Sequence, residues 1–324
     1  MAEWLVEEGI GEERAVLFRD GEAVATRHRW PGELQSGTVA DARLIQRGAG
    51  SARGMVSLVD GQQALVKRLP AGASEGGSYR VRITRPAIHE QGRSKWAQAE
   101  ICDLPEAPPP SLAASLSAEG CAVKTVRRIP APFWEDAVTD AYAAGRGFAG
   151  GSISLFPTPA MTLIDVDGDL SPRDLALAAV TPVAEAIALL DIGGNIGIDF
   201  PTLPAKADRR AVDQALDEAL ASRPHERTAM NGFGFVQIVA RLERASLLHR
   251  ARFQRAALVA RQLLREAEHL EETGRTIELT ASPAVLALLT QDWLAQLRRR
   301  NGREVTLRPD PALAIEGCHA QIVS

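Results

Sequence analysis

The chain has 324 residues, a formal net charge of −4, 45% hydrophobic and 24% charged residues. That length exceeds one small core and asks for about two to four compact units. The acidic balance excludes a protein that coats polyanions over its whole surface, while leaving room for a local basic groove. With aromatics at only 5%, aliphatic side chains must fill the cores.

In chain order, Trp4 to Arg29 reads as a strand meander (4–6, 15–18 and 23–25) punctuated by Gly9-Ile10-Gly11 and Asp20-Gly21. After Pro31-Gly32, short β segments at 37–47, 54–60, 63–67 and 79–84 are bounded by glycine-rich turns, which predicts a small closed barrel such as an OB-fold. Pro105 to Pro110 reads as a linker. Phe133 to Ala144 has helical spacing, and strands at 152–156 and 161–166 flank the turn Pro157-Thr158-Pro159. Ser171-Pro172 and Thr181-Pro182 each look like an N-cap followed by a first-turn proline. The helix from Pro182 is expected to end at Gly193-Gly194, before an apolar strand at 195–199. Strand, helix and strand in that order suit a buried sheet with a crossover helix. Beyond it come an amphipathic helix at 206–221, a strand at 233–240, a helix at 256–270 closed by Gly274 and a strand at 277–279. Ser282-Pro283 should cap a helix reaching Arg300, and Asn301-Gly302 should turn into a strand at 303–307.

Cys102, Cys121 and Cys318 lie far apart and form no CxxC pair, so no zinc site is expected. Their spacing fits reduced thiols in a cytoplasm. No basic region followed by an apolar stretch opens the chain, so no signal peptide is expected. The most apolar segment, Leu175 to Leu190, is interrupted by Pro182 and Glu185 and reads as buried helix, not a membrane span.

Residues 145–150 match GxGxxG, but a helix precedes them and a strand follows. That is the reverse of a dinucleotide site, so the segment is expected to be a flexible entry to a strand. Leu163 to Asp169, Leu-Ile-Asp-Val-Asp-Gly-Asp, is the segment richest in chemistry. Alternating acids after an apolar strand make a poor core and a good site for a hard cation such as Mg²⁺. A calcium loop starting at Asp165 would need glycine and glutamate where Leu170 and Ala176 stand. The string also resembles the DxDGT motif of haloacid-dehalogenase-type phosphatases, which would make Asp165 a nucleophile and Asp167 a general acid and base. Asp169 replaces the threonine, and no later acidic pair of the kind that family uses is visible. A second element, Gly193 to Phe200, ends an apolar strand on Asp199, a costly place for an unpaired carboxylate. If the strands of Asp165 and Asp199 are neighbours, both carboxylates reach one divalent ion that could polarise a phosphodiester and activate water.

Residues 150–167, GGSISLFPTPAMTLIDVD, resemble the ribonuclease E/G stretch that reads roughly GGSLVIEQTEALTAIDIN, and 193–203, GGNIGIDFPTL, resemble its GGLIVIDFIDM. Arg209-Arg210-Ala211-Val212 with Leu216 to Leu220 is similar to its QRAV helix, Phe233-Gly234 to the FG of its RFGLLEMSR strand, and 303–311 to its later strand and proline segment. The likeness spans about residues 150–320 and, more weakly, 1–95. The resemblance implies an α+β, multidomain chain whose α/β catalytic core is DNase-I-like and RNase-H-like, with an inserted OB-fold barrel and a small C-terminal α/β unit. In this reading 1–36 with 97–150 form the RNase-H-like part, 37–96 the RNA-binding barrel, 151–250 the DNase-I-like catalytic part and 251–324 the C-terminal unit. It further implies Mg²⁺-dependent hydrolysis (Mn²⁺ as a substitute) of single-stranded RNA in RNA processing or decay, in the cytoplasm. Asp165 and Asp199 would be the metal ligands, and Asp167, where the family has asparagine, would complete the catalytic set. Beyond RNA, a homodimer is the expected association, with no membrane and no zinc.

The chain departs from that pattern in several places. Gly232 stands where the family has arginine before Phe-Gly, the zinc-binding cysteine pair is absent, and the segment between barrel and catalytic unit is short. The segment that would read a 5′-monophosphate end is missing, and the barrel-face aromatics are not evident. The alternative functions are therefore an RNA-binding factor with a decayed active site or the haloacid-dehalogenase-type phosphatase described above. For RNA contact the candidates are Arg80, Arg82, Arg85, Arg93 and Lys95 after the barrel, with His89 between them, and Phe233, Arg241 and Arg244 near the catalytic strands, followed by Arg250, Arg252 and Arg255.

Overall fold

The computed structural model describes residues 2–90 and 92–323; Met1, Gln91 and Ser324, which fall within the expected segments, lie outside the described residues. Strands β1 (Ala2–Glu8), β2 (Glu13–Arg19) and β3 (Glu22–Arg29) form the meander. The β2–β3 reversal needs two residues at positive φ, and Asp20 and Gly21 supply them at 53° and 91°.

The next strands are β4 (Val39–Arg47), β5 (Gly54–Leu58), β6 (Gln63–Val66), β7 (Ser78–Arg85), β8 (Ile88–Glu90), β9 (Arg93–Lys95) and β10 (Ala97–Ile101). Five of them close a barrel in the order β10-β6-β5-β4-β7. Alternate residues such as Ala42, Leu44, Val56, Val66, Val81 and Ile83 fill it, as period-two patterning requires. A closed five-stranded barrel is consistent with an OB-fold. The strand that closes the ring, β10, lies past residue 96, because β10 pairs parallel with β6 and antiparallel with β7. The small β8–β9 hairpin stands apart from the ring.

Helix α1 (Leu112–Ala118) starts at Ser111, whose hydroxyl accepts from the Ala114 N–H, and β11 (Val123–Val126) then returns parallel to β1. Leu112 and Leu116 cover Trp4, Val6, Ala15 and Ala25 on one face of the sheet β11-β1-β2-β3.

Helix α2 (Phe133–Ala143) leads into a six-stranded sheet of β12 (Gly145–Phe148), β13 (Gly151–Pro157), β14 (Thr162–Gly168), β15 (Gly194–Asp199), β16 (His225–Arg227) and β17 (Phe235–Ala240), in the order β12-β13-β14-β15-β17-β16. Only β14 and β15 run parallel; the other neighbours are antiparallel. The glycine-rich 145–150 segment is itself a hairpin strand with Gly150 at φ 85°, not a loose entry. Helix α3 (Pro172–Leu189) crosses between β14 and β15, lies between the two sheets and forms the centre of the main core. It starts at Ser171 as expected, but Thr181-Pro182 does not start a second helix, and α3 runs through Pro182. The ring removes one N–H from the ladder, yet Val180, Val183, Ala186 and Ile187 are all buried, so packing on both faces outweighs the lost bond. Helix α4 (Lys206–Ala219) packs on α3.

The remaining elements are α5 (Leu247–Phe253), α6 (Arg255–Glu268), β18 (Thr276–Ala281), α7 (Pro283–Leu286), α8 (Gln291–Asn301), β19 (Glu304–Pro309) and β20 (His319–Val323). The sheet β19-β18-β20 and helices α6 to α8 share a second core, which Ile10 of the β1–β2 turn enters. The single helix expected from Pro283 to Arg300 is two, because the Thr290 hydroxyl accepts from the Trp293 N–H and starts α8 afresh.

Candidate metal-binding site and the sheet face around it

Strand register decides which side chains meet. Across the six-stranded sheet, Ser154, Asp165, Asp199 and Phe235 are successive partners in one row, and Ser152 partners Asp167 in the next. Ile153, Ile164, Val166, Ile196, Ile198, Val236 and Ile238 are buried in the main core on the other face. With a period of two, the apolar residues that fix the sheet on α3 also force Asp165, Asp167 and Asp199 to the opposite side. Adjacent strands are about 4.8 Å apart, so the Asp165 and Asp199 side chains project next to each other.

Asp165 is half-buried; Asp167 and Asp199 are exposed. Among the described residues none of the three joins a salt bridge. Burial pushes the Asp165 carboxyl up from its usual range, and the charges of Asp167 and Asp199 push it further in the same direction. Asp167 stands two residues along β14, roughly 6.6 Å away. No three His, Cys, Asp or Glu side chains among the described residues gather as a ready metal cage. What the row offers is a pair of hard carboxylates; Mg²⁺ typically takes one or two such groups, with waters and substrate oxygens as its other ligands.

The rim of this row is built by glycines. A Cβ at Gly197 would stand 2.6 Å from the Phe235 ring and 2.9 Å from the Met161 sulfur, so glycine lets both lie across β15 beside Asp199. Gly234 has φ 94°, and a Cβ there would meet the Phe200 carbonyl at 2.3 Å. The Asn231 side-chain oxygen accepts from the N–H groups of Phe233 at 2.9 Å and Phe235 at 3.1 Å. That turn leaves Phe233 82% exposed, next to the strand end of Asp199 through the bond from the Phe200 N–H to the Gly234 carbonyl. Phe156, on the Ser154 face of β13, is 50% exposed.

The basic candidates divide. Arg80 holds Asp41 in a two-point contact at 2.6 and 3.0 Å, and Arg82 pairs with Glu100. Arg85 is buried and donates to the Trp96 carbonyl at 2.6 Å. Arg93 and Lys95 both engage Glu90, and Arg93 also reaches the Pro159 carbonyl at 3.2 Å, tying the β8–β9 hairpin to the β13–β14 turn. His89 bonds Ser94. Arg244 sits on Asp191 at 3.0 Å, and Arg250 is buried against Glu33 with its guanidinium 3.8 Å from the Trp30 ring centre. Arg85 and Arg250 are thus buried and Arg244 is half-buried; the sequence does not reveal this for Arg244 and Arg250, whose partners Asp191 and Glu33 are remote in the chain. Arg241 is 80% exposed, 3.4 Å from Glu243. The residues on this face that the sequence reading did not single out are Ser154 and Phe156; the signal is present in the alternation Ser152-Ile153-Ser154-Leu155-Phe156.

The sheet also bears on the phosphatase resemblance. Asp165 and Asp167 lie inside β14 of a mostly antiparallel sheet, not in a loop beyond the carboxyl ends of parallel strands where open α/β folds bind ligands.

Ribonuclease G of Salmonella typhimurium (strain SL1344) and ribonuclease G of Escherichia coli (strain K12) are each 27% identical to this chain over 192 residues, covering 50% of it. The match spans 39% of the length of those curated relatives. No family model matches the chain. A likeness of that degree supports a ribonuclease E/G-like relationship and no closer one. Among the described residues no helix is long and apolar enough to cross a membrane.

Proposed function

We propose that this chain is a divalent-metal-dependent endoribonuclease that hydrolyses single-stranded RNA in the cytoplasm. The observation that carries the reading is the in-register pair Asp165 and Asp199 on the only parallel neighbours of the sheet, side by side on the face away from the core and free of salt bridges among the described residues. Two carboxylates kept close with no cation of the protein between them fit an ion such as Mg²⁺ or Mn²⁺. When bound, the ion supplies a Lewis acid for a phosphodiester and eases deprotonation of water. Asp165 and Asp199 would hold it, and Asp167 adds charge one row away. Phe233 and Phe156 offer exposed rings on which unpaired bases can stack. The distant likeness to ribonuclease G supports RNA as the substrate.

In this reading 37–96 acts as the RNA-binding barrel with β10 completing it, 151–250 as the DNase-I-like catalytic part, 1–36 with 97–150 as an RNase-H-like support, and 251–324 as the small C-terminal unit. A homodimer is the assembly that goes with it. The test is cleavage of a 5′-labelled, unstructured RNA with Mg²⁺. Wild type is expected to cut and to stop on chelation, and Asp165→Asn or Asp199→Asn to lose at least roughly a hundredfold in rate. Equal cleavage by wild type and the double variant would remove the assignment. Tight, salt-dependent RNA binding without turnover would favour the second reading, an RNA-binding factor; its motive is Gly232, a position with open space where the family carries arginine.

A further inference from the structure

A cavity of about 320 Å³ opens beside the acidic row, between the end of α2, strand β13 and the α5–α6 turn. Ser154 belongs to its wall and is also the cross-strand partner of Asp165. Directly opposed residues of an antiparallel pair have Cβ atoms about 5 Å apart, so the Ser154 wall of the cavity adjoins Asp165 across β13 and β14, while Leu155, Leu248 and Ala251 line it from the core side.

The lining is chemically uneven. It holds Arg252 and Arg255 and no carboxylate. Arg252 is exposed and, among the described residues, its guanidinium has no ion-pair or hydrogen-bond partner. Arg255 pairs with Glu316 and lies over the Tyr142 ring, 4.9 Å from its centre. The Tyr142 hydroxyl is buried and, among the described residues, without a hydrogen-bond partner, and burial pushes its phenol further up, so it stays a neutral donor at any physiological pH. Phe156 presents half of its ring. An uncompensated cation, a donor lacking an acceptor and an apolar ring suit a phosphate, a sugar or phosphate oxygen, and a base. The volume falls at the small end of the range for pockets that enclose one small ligand.

We infer that this cavity is a nucleotide subsite that holds one residue of the bound RNA strand next to the phosphate at Asp165 and Asp199. The inference rests on the nuclease reading above and adds the contact that orients its substrate. Arg252 takes the phosphate, and Phe156 takes the base face. The Tyr142 hydroxyl donates to an oxygen of the same unit.

The test reads binding, not turnover. A fluorescent 2′-O-methyl pentanucleotide, which cannot be cut through its 2′ oxygen, is titrated into the full chain in EDTA and followed by anisotropy. Arg252→Glu is expected to weaken binding roughly tenfold. Arg299→Glu, on α8, which packs on α6 and β19, controls for overall charge and should change it less than about twofold. Ala143→Trp, at the exposed rim of the cavity, should also weaken binding by crowding it, with circular dichroism verifying the fold. Undetectable binding by wild type, or Arg252→Glu and Ala143→Trp both within twofold of wild type, overturns the subsite. Because the metal is absent, a failed subsite with intact Asp165-dependent cleavage remains distinguishable from a failed nuclease reading.

Discussion

Asp165 carries a charge that the fold opposes. Its carboxyl is pushed up from its ordinary value because it is partly buried and near the charges of Asp167 and Asp199. A raised carboxylate pKa contributes stability that is fully present below the unfolded value and is lost as pH rises through the folded one. In metal-free protein, Asp165→Asn should therefore raise the Tm at pH 7, on the order of 1–2 °C after allowing for solvent screening. It should leave the Tm unchanged at about pH 3, where the unfolded group is already protonated. Asp199→Asn removes one of the repelling charges and should move the Asp165 titration back toward normal, as read by carboxyl-carbon NMR. A Tm at pH 7 that falls in Asp165→Asn would mean the carboxylate has a stabilising partner and is not held in tension. Gly197 and Gly234 act at the same scale: each leaves room that a side chain would close, one for the Phe235 ring and one for the Phe200 carbonyl.

At the scale of elements, much of the architecture is legible from pattern. Ile164, Val166, Ile196 and Ile198 alternate with Leu163, Asp165, Gly197 and Asp199, so the same residues that announce strands also assign the acids to one face. Ser171-Pro172 announces the start of α3. Its continuation through Pro182 was hidden, because local signals weigh a proline as a start while burial between two sheets decides otherwise. The short strands β8, β9, β11 and β16 have three or four residues each, too few to carry a period, and are fixed by their partners. Basic residues were the least legible class. Arg244 and Arg241 look alike in sequence, yet one lies on buried Asp191 and the other is exposed. The Asp165–Asp199 pairing followed from two strand patterns, but the cavity beside it needs α2, α5 and β13 to converge, and no short motif records that.

For the molecule as a whole, a buried ionic network joins the first strands to the C-terminal helices. Glu7 receives Arg14 at 2.8 Å and Arg265 at 3.0 Å, with His269 at 3.5 Å, and accepts from the Ile129 N–H at 2.7 Å. Burial alone would raise its pKa, but His269, Arg14 and Arg265 together hold it at about 2. A depressed carboxylate pKa gives stability that is present above the ordinary value of 4.5 and is lost as pH falls toward 2. Glu7→Gln should destabilise the protein at pH 7 by less than the roughly 3–5 kcal/mol of a fully stranded buried charge, because Arg14 keeps Glu12 and Arg265 keeps Glu135. It should also flatten the acid limb of Tm against pH, and an unaltered limb would show that Glu7 is not its source. Arg265 also pairs with Glu135 of α2, so the network ties β1, α2 and α6 together. The central claim, that Asp165 and Asp199 share one divalent ion, is met most directly by titrating metal-free protein with Mn²⁺ and following the free ion by electron paramagnetic resonance. The account predicts that the combined Asp165→Asn and Asp199→Asn variant weakens Mn²⁺ binding at least roughly tenfold, while Asp169→Asn, outside the pair, leaves it near wild type. Equal Mn²⁺ affinity in wild type and the combined variant would contradict it.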